Sequence, residues 1–220
     1  MSMWTGFLLA STLAAAEPQT ELWAGHQVVR GIKPIFMMGD LETQTETFVI
    51  ARVTRTDNAL LIEQRACEMD IKETLGIKVS MAPAALQALP TTAIRFAIDP
   101  QGGVKAPPWE VGWTETDFDK DGNPGVTVSV ISRMCSGDLY IQSDSVTTAT
   151  GATLTENGLK SDVSVAVHQD ILGASRTCLK LGAGETYEKQ TGQMVYRQIP
   201  AGTTCSDLSA GSWPVLVPSR

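Results

Sequence analysis

Short runs of alternating apolar and polar residues recur along most of this chain and constrain its fold more than any other feature. Residues 47–55 are rich in β-branched side chains, and residues 59–71 form a second such run after the Asp57-Asn58 turn signal. Residues 126–133 alternate valine with threonine and serine. Because a β-strand places successive side chains on opposite faces, this period of two predicts strands with one buried face.

Turn signals separate these runs and indicate how the strands connect. The Asn157-Gly158 pair is typical of a type I′ hairpin turn. Residues 82–89 are good helix formers, with Pro83 near a first turn and Pro90 as a stop, and they predict a short helix. The predicted fold class is therefore mainly β. It is an antiparallel β-barrel, as a lipocalin-like meander, or a β-sandwich, with one short helix.

The start of the chain resembles a secretory signal peptide. Residues 1–16 carry no charge and contain a short apolar run followed by three alanines at 14–16. The run is too short to span a bilayer. We therefore expect residues 17–220 to form a single β domain that is secreted or periplasmic, without a membrane span. Residues 182–192 are polar and mark a candidate boundary to a smaller C-terminal unit.

The cysteine content fits an exported protein. The chain has four cysteines, Cys67, Cys135, Cys178 and Cys205, and an even number in an exported chain predicts two disulfides. Three pairings are open, and closeness in sequence favours Cys67–Cys135 with Cys178–Cys205. No two cysteines have the close spacing that a zinc knuckle requires.

The charge balance excludes some classes of partner. The net charge is −7, with lysine and arginine scattered along the chain. Such a chain is poorly suited to nucleic acid or to an anionic membrane surface. An acidic protein is, in contrast, well suited to binding a cation.

One short stretch has the composition of a cation site. Asp117, Asp119 and Asp121 alternate along the chain, and Gly122 follows them directly. Hard oxygen ligands at positions 1, 3 and 5, followed by a glycine for the sharp turn, are what a calcium loop requires. Asp, Asn, Gly and Pro also occur in ordinary turns. A plain turn, however, has no reason to hold three alternating carboxylates, so the pattern favours a metal.

This stretch, residues 117–122, resembles the calcium loops of EF-hands, dockerins, thrombospondin type 3 repeats and integrin-type propeller blades. The resemblance implies side-chain ligands from Asp117, Asp119 and Asp121, and a backbone carbonyl ligand from Asn123. An EF-hand would place a bidentate glutamate at the twelfth position, where this chain has Val128.

Because Val128 belongs to a predicted strand, we expect a strand–loop–strand calcium site and not an EF-hand. The remaining carboxylate ligand is open among Glu115, Asp138 and Asp144. The absence of the twelfth-position glutamate predicts weak binding, with a Kd on the order of 10⁻⁴ to 10⁻³ M.

Two tryptophans, Trp109 and Trp113, precede the aspartate loop. Such a pair can form a stacking platform for a sugar ligand. The commoner fate of these residues is packing at the end of a barrel or sandwich, and contact with a protein partner is a third alternative.

Catalytic signals are sparse. The histidines are His26 and His168, and His168 shares a predicted strand face with Asp170. No Gly-x-Ser-x-Gly motif supplies a nucleophile. We therefore expect an exported, non-catalytic β-barrel binding module for a small apolar, amphiphilic or carbohydrate ligand, with a structural calcium loop. The alternatives are an extracellular hydrolase acting on polysaccharide or lipid, and a structural or adhesive surface module.

Overall fold

A computed structural model of the chain describes residues 19–35, 39–181 and 185–218, and antiparallel strands dominate them. The strands are β1 Gln19–Ile35, β2 Gly39–Arg55, β3 Ala59–Ile71, β4 Lys78–Met81, β5 Thr92–Ile98, β6 Val104–Lys105, β7 Trp109–Trp113, β8 Val126–Ile131, β9 Gly137–Thr155, β10 Gly158–Ala174 and β11 Thr186–Ile199. Three short helices accompany them, α1 Pro83–Ala88, α2 Thr177–Leu181 and α3 Cys205–Ala210. The mainly β prediction is confirmed, with two helices more than expected.

All the strands belong to one sheet. Its order is β4-β8-β9-β10-β11-β1-β2-β3-β5-β6, and β7 also pairs with β9. The sheet curls into an antiparallel half-barrel, so that β6 contacts β9 across the concave side. The pairing of β1 with β11 joins the first and last strands at the centre of the sheet.

The predicted hairpins form, with one correction. Strands β2 and β3 pair as expected around the turn at residues 56–58. Strands β9 and β10 also form a hairpin, but Thr155 pairs with Gly158, so the two turn residues are Glu156 and Asn157. Neither residue has the positive φ that a type I′ turn requires, so the prediction of that turn type was wrong.

Some predicted features fall outside the described residues. The signal segment, residues 1–16, lies there, and so do residues 182–184 of the candidate boundary. From Thr186 the chain forms β11, which pairs with β10 on one side and with β1 on the other.

A hydrophobic core fills part of the concave side of the half-barrel. Its largest fully buried side chains are Trp23, Phe96, Leu60, Ile62 and Ile94. They are joined by valines from β2, β6 and β10 and by Met194 and Tyr196 of β11. Burying each large apolar side chain contributes about 1.5–3 kcal/mol, so this core is the main source of stability.

A smaller core lies on the convex side, where the C-terminal segment packs against the sheet. Ala24, Ile50 and Ile199 are buried there beneath Leu208 of α3, with Trp213 packed beside them. Helix α3 begins with a capping box in which Thr204 and Asp207 exchange side-chain and backbone hydrogen bonds. The segment that carries α3 and Trp213 is thus an integral part of the fold.

Two disulfides are present, as predicted, but their pairing differs from the expected one. Cys67 pairs with Cys205, and Cys135 pairs with Cys178, with Cα–Cα distances of 5.4 and 6.2 Å. The first bond ties α3 to β3, and the second ties the β8–β9 connection to α2. Closeness in sequence failed as a guide because the sheet brings distant segments together.

The disulfides also bear on the compartment. Two such bonds are typical of oxidising surroundings, such as the extracellular space or the periplasm. In the part of the chain that the structure describes, no helix has both the length and the apolar character needed to cross a bilayer.

Candidate metal site

The aspartate loop interrupts one edge of the sheet. Strands β7 and β8 lie end to end along the same side of β9, because Trp113 pairs with Ser143 and Val126 pairs with Ile141. Residues 114–125 leave this edge between the two pairings and return to it. The loop is therefore an excursion within what would otherwise be one long strand.

Backbone hydrogen bonds close the base of this excursion. The N–H of Gly125 donates to the carbonyl of Glu115 at 3.0 Å, and the N–H of Phe118 donates to the carbonyl of Gly125 at 3.2 Å. Gly125 has a φ of 77°, and a Cβ there would lie 2.3 Å from the carbonyl oxygen of Ile141. Only glycine fits this position, where the loop rejoins β9.

The first aspartate organises the turn. The carboxylate of Asp117 accepts hydrogen bonds from the backbone N–H groups of Asp121 at 3.1 Å and Gly122 at 3.0 Å. Lys120 and Gly122 adopt left-handed conformations, with φ of 58° and 88°. These two reversals wrap the chain around the Asp117 carboxylate.

The other two aspartates are oriented by Thr127 at the start of β8. Its N–H donates to Oδ2 of Asp119 at 3.0 Å, and its hydroxyl donates to Oδ2 of Asp121. The Asn123 N–H donates to Oδ1 of Asp121 at 2.8 Å. The Thr127 hydroxyl, followed by this backbone bond, lowers the pKa of the Asp121 carboxyl, which therefore stays charged at neutral pH.

Together these contacts make a cluster that can hold a metal ion. Asp117, Asp119 and Asp121 each offer a carboxylate oxygen, and the three oxygens lie within 4.8 Å of one another. The Oδ1 atom of Asp119 is buried and has no hydrogen-bond partner. Leaving such an atom unsatisfied costs roughly 1–3 kcal/mol or more, and a bound cation would remove that cost. The residues present therefore fit a cation.

The other positions considered for the site have different surroundings. Val128, at the twelfth position, lies buried in β8, as its place in a predicted strand implied. Asp138 accepts a hydrogen bond from Ser129 at 2.8 Å, and Asp144 contacts a histidine on β10, so both carboxylates are engaged away from the loop. Asn123 contributes its N–H to the loop. Its role as a carbonyl ligand stays a prediction.

The two tryptophans do not form an exposed pair. Trp109 is 8% exposed and packs in the main core, with its ring centroid 6.5 Å from that of Phe96. Trp113 is partly buried, and its indole N–H donates to the carbonyl of Ile141 at 2.9 Å. Protein therefore covers the Trp109 ring, while Trp113 fastens the start of the loop to β9.

The site thus consists of three oriented carboxylates on a loop between two collinear strand segments. Oxygen ligands of this kind suit hard cations. No protein-family model matches the chain, and no curated protein sequence matches it either.

Proposed function

We propose that this protein is an exported, non-catalytic binding module whose fold is completed by a structural calcium ion at residues 117–122. The observation that carries the proposal is the buried, unpartnered Oδ1 of Asp119 beside two further aspartates. Calcium tolerates irregular sets of oxygen ligands at 2.3–2.6 Å, whereas magnesium requires near-ideal octahedral geometry. Water and backbone carbonyls would supply the ligands that the three side chains do not.

The role proposed for the ion follows from the position of the loop. Strands β7 and β8 share one edge of β9, and residues 114–125 connect them. Without a cation, three carboxylates within five residues repel one another and raise the free energy of the folded loop. A bound ion offsets this repulsion and holds the loop in the form that lets both strands pair with β9.

The ligand proposed for the module is a carbohydrate. The main core fills part of the concave side, so a ligand would bind beyond it. Gln27, Thr45 and Thr47 share their strand faces with core residues and continue the concave side as a polar surface. Hydroxyl and amide groups both donate and accept hydrogen bonds, which suits a sugar better than an apolar ligand.

An oligosaccharide panel tests this proposal on the calcium-loaded protein. Replacing Thr45 and Thr47 by valine preserves shape and removes two hydroxyls from the concave side, and we expect it to weaken glycan binding. Thr54→Val is the matched control, since Thr54 lies on the opposite face of the same strand. Absence of saturable binding to any glycan, or equal binding by the double variant, would overturn the carbohydrate proposal.

A further inference from the structure

A second group of ligating side chains lies on the convex side of the sheet, apart from the aspartate loop. His168 and Asp170 project from β10, and Glu185 immediately precedes β11. The Nε2 atom of His168 lies 2.9 Å from Oε1 of Glu185 and 3.9 Å from Oδ1 of Asp170. One nitrogen and two carboxylate oxygens therefore converge on one point.

The spacing of these atoms matches the spacing of ligand atoms around a small transition-metal ion. Tetrahedral zinc binds histidine nitrogen and carboxylate oxygen at about 2.0–2.1 Å, which places neighbouring ligand atoms about 3.3 Å apart. The two distances from His168 Nε2 lie on either side of that value, and all three ligand atoms lie within 4.8 Å of one another. Small side-chain rotations would make the two distances from His168 Nε2 equal.

The His168 ring is also oriented in the way that is usual for a metal-bound histidine. Its Nδ1 atom lies 3.1 Å from Oδ2 of Asp144 on β9, which orients the ring and directs Nε2 towards Glu185 and Asp170. The Tyr187 ring stacks on the imidazole, with centroids 4.5 Å apart, and its hydroxyl donates to Glu185. A carboxylate on the second ring nitrogen is the usual outer support of a histidine bound to zinc.

We propose that His168, Asp170 and Glu185 form a binding site for a divalent transition metal of the zinc class. Nε2 faces two carboxylates, and either a proton or a metal ion must lie between them. The imidazole donor favours zinc-like ions over calcium, so this site and the aspartate loop would take different metals. The side chains of His168, Asp170 and Glu185 are 24%, 34% and 54% exposed, respectively, so an ion from solvent can reach them.

A shallow groove adjoins the site and gives it an open side. The groove has a volume of about 310 Å³ and is lined by Val146, Ala166 and Tyr187 together with His168. Three protein ligands with a fourth position open to solvent are typical of zinc sites that bind a further ligand. The proposal does not depend on the calcium proposal, because the two sites share no residue.

Metal titration tests the site on the full-length protein after treatment with chelator. We expect calorimetry to find saturable Zn²⁺ binding of one ion per chain at this site, and Co²⁺ to give the visible absorption of a tetrahedral site. His168→Gln should abolish both signals. Asp144→Asn should weaken Zn²⁺ binding about 10–100-fold, because it removes only the outer support.

Two controls separate this site from other carboxylates. Asp162→Asn removes a charge from the same outer face of β10, and Asp119→Asn removes a ligand of the aspartate loop; neither should change Zn²⁺ affinity. Circular dichroism should show that every variant is folded. If the wild type binds no Zn²⁺, only a proton lies between His168 and the two carboxylates. If His168→Gln binds Zn²⁺ as tightly as the wild type, the ion binds elsewhere. Either result would overturn the proposal.

Discussion

The backbone N–H of Val217 donates a 2.8 Å hydrogen bond to Nδ1 of His26, which precedes it by 191 residues. His26 is only 3% exposed and stacks on Phe48, whose ring in turn packs against Trp213. Because a backbone N–H can only donate, Nδ1 carries no proton. The ring proton is then on Nε2, 3.2 Å from a carboxylate oxygen of Glu46. A neutral histidine therefore fastens the C-terminal segment to the sheet.

This arrangement predicts that mild acid weakens the contribution of His26 to stability. Burial lowers the pKa of His26 below 6.5, with Glu46 acting in the opposite direction. Between the folded pKa and 6.5 the unfolded chain binds more protons, so the stabilisation is complete above pH 6.5 and is lost as the pH falls. We expect the contribution of His26 to the free energy of unfolding, measured by urea denaturation of the wild type and of His26→Gln, to fall between pH 7.5 and 5.5.

The variant His26→Gln isolates this contribution, since every other titrating group is retained. At pH 7.5 the variant should be less stable by about 1–3 kcal/mol, because buried hydrogen-bonding groups lose their partner. Its stability should then decline less than that of the wild type on acidification. Parallel pH profiles for the two proteins would contradict the assignment.

Calcium should stabilise the folded chain. Binding to the native state alone contributes RT ln(1 + [L]/Kd), about 2.7 kcal/mol at a hundredfold excess over Kd. The melting temperature should therefore rise in millimolar calcium and fall in chelator. Asp119→Asn should remove this response, and Asp57→Asn, in the exposed β2–β3 turn, should retain it. If the wild type melts at the same temperature in both buffers and elemental analysis finds no metal, the loop is an ordinary turn.

The disulfide pairing predicts unequal effects of removing the two bonds. Cys67–Cys205 spans 138 residues and Cys135–Cys178 spans 43. By loop-closure entropy, the first bond contributes about 5 kcal/mol to the free energy of unfolding and the second about 4 kcal/mol. The paired serine variants should show this order in denaturant, and non-reducing peptide mapping should recover these two linkages without free thiol. A Cys67–Cys135 peptide would refute the connectivity.

The junction between the first and last strands should be sensitive to a single methyl group. A Cβ at Gly192 of β11 would lie 1.8 Å from the backbone oxygen of Val28 in β1. Gly192→Ala should therefore force the strands apart and cost about 1–3 kcal/mol or more. Gly202→Ala, at a φ of +83° with open space, carries backbone strain alone. Gly192→Ala should therefore lower the melting temperature more than Gly202→Ala does, as measured by thermal denaturation.

Local patterns in the chain were enough to predict β2, β3 and β8 and to mark the aspartate loop, whereas β1 and β4–β7 were not predicted. The β2–β3 hairpin follows from alternation over adjacent residues, and the spacing of Asp117, Asp119 and Asp121 places their carboxylates together within one turn. Helix α1 was likewise predicted from its proline signals. The predicted type I′ turn does not form, because the strands pair one residue out of the register that the Asn-Gly signal implied.

Contacts between distant segments required the tertiary structure. His168 and Asp170 were visible as neighbours on one strand face, but Asp144 and Glu185 join them only through the register of β9, β10 and β11. The burial of Trp109 likewise depends on the curl of the sheet.

The sequence by itself determined several period-two strands, the aspartate loop and the presence of two disulfides. The strands and the loop depend on residue type and short spacing, and the two disulfides on an even number of cysteines. The tertiary structure alone decided which cysteines pair, that β1 meets β11, and that His26 holds the C-terminal segment. These contacts join residues far apart in the chain, and they depend on strand register and sheet curvature, which no short stretch of sequence specifies.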